Sequence, residues 1–450
     1  MRPDLIERYA EQRLPRYTSY PTAPHFSAAV TAETYGQWLG ALSPDTIGSL
    51  YVHIPFCRKM CWYCGCNTAV TLRDEPILAY AEALRAEVGL VRSAIGRRLP
   101  VTHLHFGGGT PNILSPDTFL RIMDGLRANF DFRREAEIAV EIDPRTLTPG
   151  LATAFAEAGV SRASLGVQSL DPGVQRAIGR VQSFAETATA IEHLRKAGVH
   201  AINVDLIYGL PGQTVASCIK TVDECVTLRP DRFAVFGYAH VPSFKKHQRK
   251  IDATALPGAE GRNAEAEAIT DRLEAAGYRR IGLDHYALPN DSMTTAQTKG
   301  RLHRNFQGYT TDPASVLIGL GASAIGQLPQ GYIQNEPILK SYLKAIGRGR
   351  LATCKGFALT PEDRLRGDLI ERLMCDFRVD VGEVCRRHDR PVDQVADAFG
   401  RLEQLANDGI VRRHGNVVEM EPEAKGLVRA AAATFDAYLA QSTRTHSPAV

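Results

Sequence analysis

Residues 49–67 read SLYVHIPFCRKMCWYCGCN, a short run of β-branched and aromatic residues leading into four cysteines, Cys57, Cys61, Cys64 and Cys66. The apolar half reads as a buried strand and the cysteine half as the loop after it. The same texture returns downstream in VTHLHFGGG (101–109), EIAVEIDP (137–144), RASLGVQS (162–169), AINVDLIYGLPG (201–212) and RFAVFGYAH (232–240). Between these runs, Ala/Leu/Glu-rich stretches such as 75–97, 148–158, 184–197, 214–228 and 262–276 carry helical spacing. Strands alternating with helices build βαβ units and a parallel sheet. Six such units predict an α/β fold: a partial (β/α)6 TIM-like barrel over 49–285.

Each of these strands ends in something small, polar or glycine-rich: Gly108-Gly109-Thr110, Glu141, Gln168, Asp205 and Ala239. Taken singly, each could be an ordinary loop residue. In succession they point to the C-terminal strand ends, where parallel barrels build their active sites.

Outside the barrel, residues 1–48 are expected to pack near the active site, and 286–358 read as a connecting region. Residues 359–440 form a mostly helical, winged-helix-like C-terminal domain, with a hairpin turning at Gly415. Winged helices often bind DNA, but this wing carries Glu419 and Glu421 beside Arg412 and Arg413, so a lid or packing domain is expected and no nucleic acid. The tail 441–450 reads as disordered.

The chain has 450 residues, is 44% hydrophobic and carries a net charge of +3, which calls for neither nucleic acid nor an anionic membrane as partner. No apolar run approaches the ~20 residues of a membrane span, and the N-terminus lacks the apolar core of a secretory signal. A cytoplasmic protein with reduced thiols is expected. Cys218, Cys225, Cys354, Cys375 and Cys385 read as ordinary buried thiols. Without an apolar heptad run, a monomer is expected.

Three readings compete for the spacing C-x3-C-x2-C-x-C. Structural zinc takes four ligands, commonly as two pairs, and no second Cys or Cys/His pair follows at the usual interval. Ordinary ferredoxin ligation starts C-x2-C, whereas the first spacing here is x3. The third reading is an iron–sulfur cluster with three protein thiolates and one open iron. Were Cys66 a fourth ligand, no iron would remain open. Gly107-Gly108-Gly109 lets the backbone approach a ligand closely, and without the lysine of a P-loop it does not favour phosphate. Glu141 and Asp205 could cap the following helices or hold a cationic amine or ribose hydroxyls. Arg180 could pair with a carboxylate through its planar fork, although the residues alone favour a solvated surface arginine.

C-x3-C-x2-C with an aromatic, Tyr63, before the third cysteine is the motif of the radical S-adenosylmethionine superfamily. PRYTSYPTAPHFS (15–27), YVHIPFCRKMCWYCGCN (51–67), LHFGGGTPNIL (104–114), EIDPR (141–145), SLGVQS (164–169), NVDLIYGLPGQT (203–214) and LHRNFQGYTT (302–311) occur in this order. From about Asp4 to Tyr438 the chain resembles the oxygen-independent coproporphyrinogen III oxidase family. The fourth cysteine and HRNFQGYTT separate it from a haem-binding or haem-delivery protein on the same barrel, the alternative reading. A third reading makes the chain a DNA-binding regulator with the cluster as redox sensor.

The resemblance implies a [4Fe-4S] cluster on Cys57, Cys61 and Cys64, with Cys66 near it but not a ligand. It implies two S-adenosylmethionine molecules per chain. The first would touch Tyr51, Gly108, Glu141 and Ile325. The second would touch Tyr63 (often Phe in the family), Gly109, Thr110, Gln168, Arg180, Asp205 and Ala239. The substrate would be coproporphyrinogen III, two of whose propionates become vinyl groups, with an unidentified electron donor and acceptor. Buried propionates need charge-assisted partners, and Arg16, His303 and Arg304 are the expected ones. On that expectation Arg304→Ala abolishes turnover.

Overall fold

The computed structural model describes residues 12–439 together with Leu5, Arg8 and Tyr9. Strands β1 (Gly48–Ile54), β2 (Pro100–Gly108), β3 (Asp131–Ile142), β4 (Arg162–Gln168), β5 (Ala201–Tyr208) and β6 (Arg232–Gly237) lie side by side in chain order, every neighbouring pair parallel. Helices α1 (Glu75–Ile95), α2 (Pro116–Asn129), α3 (Pro149–Glu157), α4 (Phe184–Ala197) and α5 (Val215–Thr227) make the crossovers, and α6 (Ala259–Ala275) follows β6. Ser115, Thr148, Ser183 and Thr214 cap α2 to α5, each side chain accepting a backbone N–H of the first turn.

A period of two sorts the strand residues. In β4, Ala163, Leu165 and Val167 are buried in the main apolar core with Ile191 and Leu194 of α4. The alternate residues Arg162, Ser164, Gly166 and Gln168 line the interior of the barrel. β5 repeats this, with Ile202, Val204 and Leu206 in the core and Asn203 and Asp205 inside. Its interior is therefore polar over the length of the strands and open enough to hold ligands.

The sheet does not close. Beyond β6 it adds β8 (His285–Ala287) and β7 (Arg279–Ile281), both antiparallel. Beyond β1 it adds the parallel β11 (Val316–Leu320), then β12 (Ile325–Leu328), β13 (Gly331–Asn335) and β14 (Thr353–Ala358), all antiparallel. The barrel is thus a partial one inside a twelve-stranded sheet. Residues 286–358 do more than connect, since four of these strands fall within them. β12 to β14 pair with their chain neighbours, but β11 joins them to β1 from the far end of the sequence, which local pattern does not reveal. β9 (His303–Asn305) and β10 (Gly308–Thr310) form a separate hairpin from HRNFQGYTT.

In the C-terminal region, α7 (Pro361–Asp376), α8 (Val381–Arg387) and α9 (Ala396–Asn407) pack with a three-stranded sheet of β15 (Arg378–Asp380), β16 (Val411–His414) and β17 (Val417–Met420). The hairpin turns at Gly415, with φ of +59°. Leu14, Tyr17 and Tyr20 belong to the apolar core of this region. The Tyr17 hydroxyl donates to Asp436 at 3.1 Å, and Arg429 donates to the Leu14 carbonyl at 3.2 Å. The N-terminal segment is therefore strapped to the C-terminal helices. The tail expected to be disordered lies outside the described residues. Among the described residues, no helix is long and apolar enough to cross a membrane. All nine cysteines are free thiols; Cys354, expected to be buried, is half-buried.

Glu87 of α1 is buried without a cation. It accepts from Gly321 N–H at 2.6 Å, Asn335 Nδ2 at 2.6 Å and the Tyr342 hydroxyl at 2.8 Å, tying α1 to the turn between β11 and β12. Burial pushes its carboxyl up to about 7, against the pull of these donors. A raised carboxyl favours the folded state fully below the unfolded value of ~4.3, and that contribution is lost as pH rises towards 7. The stability difference between wild type and Glu87→Gln, from urea midpoints, should therefore shift against wild type from pH 4 to 7 by at most about 1.4 kcal/mol per unit and level off above.

Candidate active site

β1 ends at Ile54, and the cysteine loop leaves it. Its base is closed by the parallel pairing of Phe56–Cys57 with Ala69–Val70. The loop after β2 is pressed against it. Gly109 N–H donates to the Ile54 carbonyl at 2.8 Å, and a Cβ on Gly109 would sit 2.6 Å from the Phe56 carbonyl oxygen. Gly108 has φ of +120°, and its Cβ would meet the Ile54 oxygen at 2.9 Å. The glycine run expected to admit a ligand first admits the backbone of the cysteine loop. This contact brings the Thr110 hydroxyl to 3.1 Å from Cys57 Sγ, where the Thr68 hydroxyl also donates at 3.4 Å.

Cys57, Cys61, Cys64 and Cys66 all line one cavity of about 420 Å³. Burial raises the Cys57 thiol, partly offset by the two threonines. Cys64 is lowered, chiefly by its hydrogen bond with the Cys66 thiol. Cys66 is exposed, and its N–H donates to Cys64 Sγ at 3.4 Å. Arg180 and Arg145 both approach Cys61 Sγ, at 3.6 and 3.8 Å. Among the described residues, no three His, Cys, Asp or Glu side chains gather around a single-ion site. Soft thiols on one loop, with cations beside them, are a donor set that fits an iron–sulfur cluster.

The strand ends supply the rest of the cavity wall. Glu141, ending β3, accepts from Gly108 N–H at 3.1 Å and pairs with His105 Nε2 at 3.1 Å. Asp205 of β5 accepts both from Ser164, at 3.0 Å, and from Asn203, at 2.7 Å. Burial, then repulsion from Glu141, lifts its carboxyl to about 7. Gln168 closes β4 with φ of +70°, a strained backbone for a non-glycine residue and one that clusters at functional sites. Tyr63, Thr110 and Ala239 also line the cavity.

Arg180 departs from the surface arginine that the residues alone favour. It is 6% exposed and donates to the Gly166 carbonyl at 2.6 Å and to Asp143 at 3.3 Å. Burial opposes its charge, but Tyr63, Asp143 and Cys61 outweigh that and raise it. Asp143 is held low despite burial by Arg145 and Arg180. Sequence reasoning passed over Asp143 and Arg145, although they stand just past Glu141 in EIDPR.

Four expected residues are not among those lining the cavity. Tyr51 stacks on His105 behind the cavity, its centroid 5.9 Å away, and its hydroxyl pairs with His53 Nδ1 at 3.0 Å. Ile325 reaches it only through Gly319, which pairs with Tyr51 and meets the Ile325 backbone. His303 pairs with Glu371 at 3.3 Å and does not line the cavity. Arg304, expected to hold a propionate, is buried with its fork on Asp284, at 3.2 and 3.1 Å, and its Nε on the Arg16 carbonyl at 3.3 Å. It also lies over the Tyr309 ring at 4.4 Å. Its donors are already engaged with the protein, and it does not line the cavity. Asp284 is held well below the carboxylate range by Arg304 and His285 despite its burial.

Arg16 does reach the cavity, donating to the Gly237 carbonyl at 2.9 Å. It also lines an adjoining cavity with Arg262 and Arg429. Burial lowers Arg16, and burial followed by the charge of Arg16 lowers Arg429 to about 9. Arg262 and Arg429 were missed because nothing local marks them.

The profile of the radical SAM superfamily matches residues 51–225. The oxygen-independent coproporphyrinogen III oxidase of Bradyrhizobium diazoefficiens is 55% identical over 450 residues, the full length of both chains. The one from Paracoccus denitrificans is 42% identical over 95% of each. This chain belongs to the oxygen-independent coproporphyrinogen III oxidase family. The structure of coproporphyrinogen III oxidase from Escherichia coli, a radical SAM enzyme, superposes with a TM-score of 0.90 at 38% identity, covering 95% of this chain and all of that one. Family membership implies a [4Fe-4S] cluster and S-adenosylmethionine, and makes the chain an oxidoreductase.

Two outcomes are expected. After anaerobic reconstitution, Cys66→Ser retains the iron and sulfide of wild type, whereas Cys57→Ser, Cys61→Ser and Cys64→Ser lose them. Arg304→Ala leaves Asp284 buried without its main cation and lowers the unfolding free energy by about 3–5 kcal/mol, read by denaturant titration.

Proposed function

We propose that this chain decarboxylates two propionates of coproporphyrinogen III to vinyl groups without oxygen, giving protoporphyrinogen IX. The observation that carries the reading is one cavity lined by the four clustered cysteines and by Arg16, which also lines an adjoining cavity with Arg262 and Arg429. The cluster that Cys57, Cys61 and Cys64 would hold, with S-adenosylmethionine, would supply radical abstraction of a hydrogen atom from each propionate β-carbon; loss of carbon dioxide and of one electron to an external acceptor would then leave the vinyl group. The protein's share is binding, orientation and electrostatics.

Cys57, Cys61 and Cys64 hold the cluster, and Cys66 stays a thiol beside it. Two S-adenosylmethionine molecules share the strand-end wall. Tyr51, Gly108, Glu141 and Ile325 belong to the first, Tyr51 and Ile325 supporting it from behind. Tyr63, Gly109, Thr110, Gln168, Arg180, Asp205 and Ala239 belong to the second. Asp205, raised by burial and by Glu141, gains most from a cationic group placed between the two carboxyls. Arg180, fixed by Gly166 and Asp143, offers its charge to a carboxylate without reorganising.

Burial disfavours the charge of Arg16 and Arg429, and neighbouring arginines add repulsion. Propionate carboxylates relieve that repulsion and gain charge-assisted hydrogen bonds. Arg304 and His303 serve this site indirectly, Arg304 by holding the Arg16 backbone. The enzyme works in the cytoplasm, where thiols stay reduced, and as a monomer.

The test is an anaerobic assay of the reconstituted protein with S-adenosylmethionine, a strong reductant and coproporphyrinogen III. Protoporphyrinogen with 5′-deoxyadenosine is expected; deoxyadenosine without vinyl product would discard the substrate. Arg16→Ala should raise KM for the substrate about ten- to a hundredfold, the loss of one charge-assisted hydrogen bond, while deoxyadenosine formation persists.

A further inference from the structure

The outer side of the cysteine loop is covered by a turn that the chemistry above does not use. Residues 244–250 read FKKHQRK, with four Lys or Arg and no acid. The turn is fastened to the loop at successive points. Lys245 Nζ donates to the Cys66 carbonyl at 2.9 Å, His247 Nε2 meets the Cys64 carbonyl at 2.7 Å, and Gln248 Nε2 donates to the Tyr63 carbonyl at 2.9 Å. Lys250 lies over the Trp62 ring at 5.7 Å.

Three of the charges reach solvent, Lys250 from above the Trp62 ring. Lys246, Arg249 and Lys250 are exposed, and Phe244 beside them is 72% exposed. Asp252, the next acid along the chain, is taken by the backbone N–H and hydroxyl of Thr254. A chain of net charge +3 therefore concentrates cations, around one protruding aromatic ring, on the backbone that carries its cysteines. A structural cap needs only the inward bonds of Lys245, His247 and Gln248; three exposed cations and an exposed phenylalanine add nothing to it.

We propose that the 244–250 turn is the docking surface for an acidic, low-potential electron-carrier protein. The proposal rests on the reading of Cys57, Cys61 and Cys64 as cluster ligands. One electron leaves the carrier's reduced centre and enters the oxidised four-iron cluster; no bond or proton is exchanged. Phe244 supplies the apolar contact, and Lys246, Arg249 and Lys250 steer the acidic partner. The fastened carbonyls bring that partner against the loop that holds the cluster.

The test uses the reconstituted holoprotein and a plant-type [2Fe-2S] ferredoxin as the acidic probe. Binding is read by titration at low and high salt. For wild type, raising salt from 20 to 300 mM should weaken binding about tenfold or more, as screening of opposed charges requires. The triple variant Lys246→Glu/Arg249→Glu/Lys250→Glu should bind about tenfold or more weaker at low salt, with little salt dependence left. Its iron content and its deoxyadenosine yield with a small photochemical reductant should match wild type. If the triple variant misfolds, Phe244→Ala/Lys246→Glu carries the same comparison.

Ferredoxin binding that is absent in wild type, or equal in both proteins, overturns the proposal. So does a larger loss on reversing Lys340 and Lys344 on a helix elsewhere. Tighter binding of a single-stranded oligonucleotide than of ferredoxin, abolished by the triple variant, would reassign the turn to nucleic acid. Failure to take up iron would instead count against the cluster reading.

Discussion

The loop after β2 can lie against the loop after β1 only because neither Gly108 nor Gly109 has a Cβ. With one, Gly109 would collide with the Phe56 carbonyl and Gly108 with that of Ile54. The rest of the site follows from that seat. It brings Thr110 to Cys57, turns Gly108 N–H to Glu141, and sets the glycine loop and the cysteine loop as two walls of one cavity. Glu141 in turn repels Asp205, so the carboxyls of two strand ends are coupled by charge.

Charge is sorted around this seat in two ways. Arg180 and Arg145 are held by Asp143 and lie beside Cys61, a fixed positive edge. Arg304 has equal burial but a different task, since Asp284 occupies its fork and its Nε grips the N-terminal segment. That segment is shared by the two cores: Leu14, Tyr17 and Tyr20 are packed with the C-terminal helices while Arg16 reaches into the barrel. The winged-helix-like region thus anchors the strap, and Arg429, which donates to the Leu14 carbonyl, comes from that region.

Much of this was legible in the sequence because it is local. Short β-branched and aromatic runs alternating with Ala/Leu/Glu-rich stretches mark the strands and the helices between them over a few positions. The cysteine spacing depends on a single loop, and the strand-end residues Gly108, Glu141, Gln168 and Asp205 need only the rule that barrel sites lie at those ends. The burial of Arg180 was not legible, because a lone arginine after a short helix looks the same whether its partners are water or Asp143.

By itself, then, the sequence determined the alternating α/β architecture, the cysteine loop after the first strand and the family, all of which rest on short-range pattern. Only the tertiary structure decided that 286–358 supplies strands to the same sheet, and which cations line the two adjoining cavities. Arg16, Arg262 and Arg429 come from three distant parts of the chain, whereas Arg304, in the most distinctive motif, is bound by Asp284. The role of a charge is set by the groups it meets after folding, and those meetings join residues too far apart in the chain for any local signal to record them.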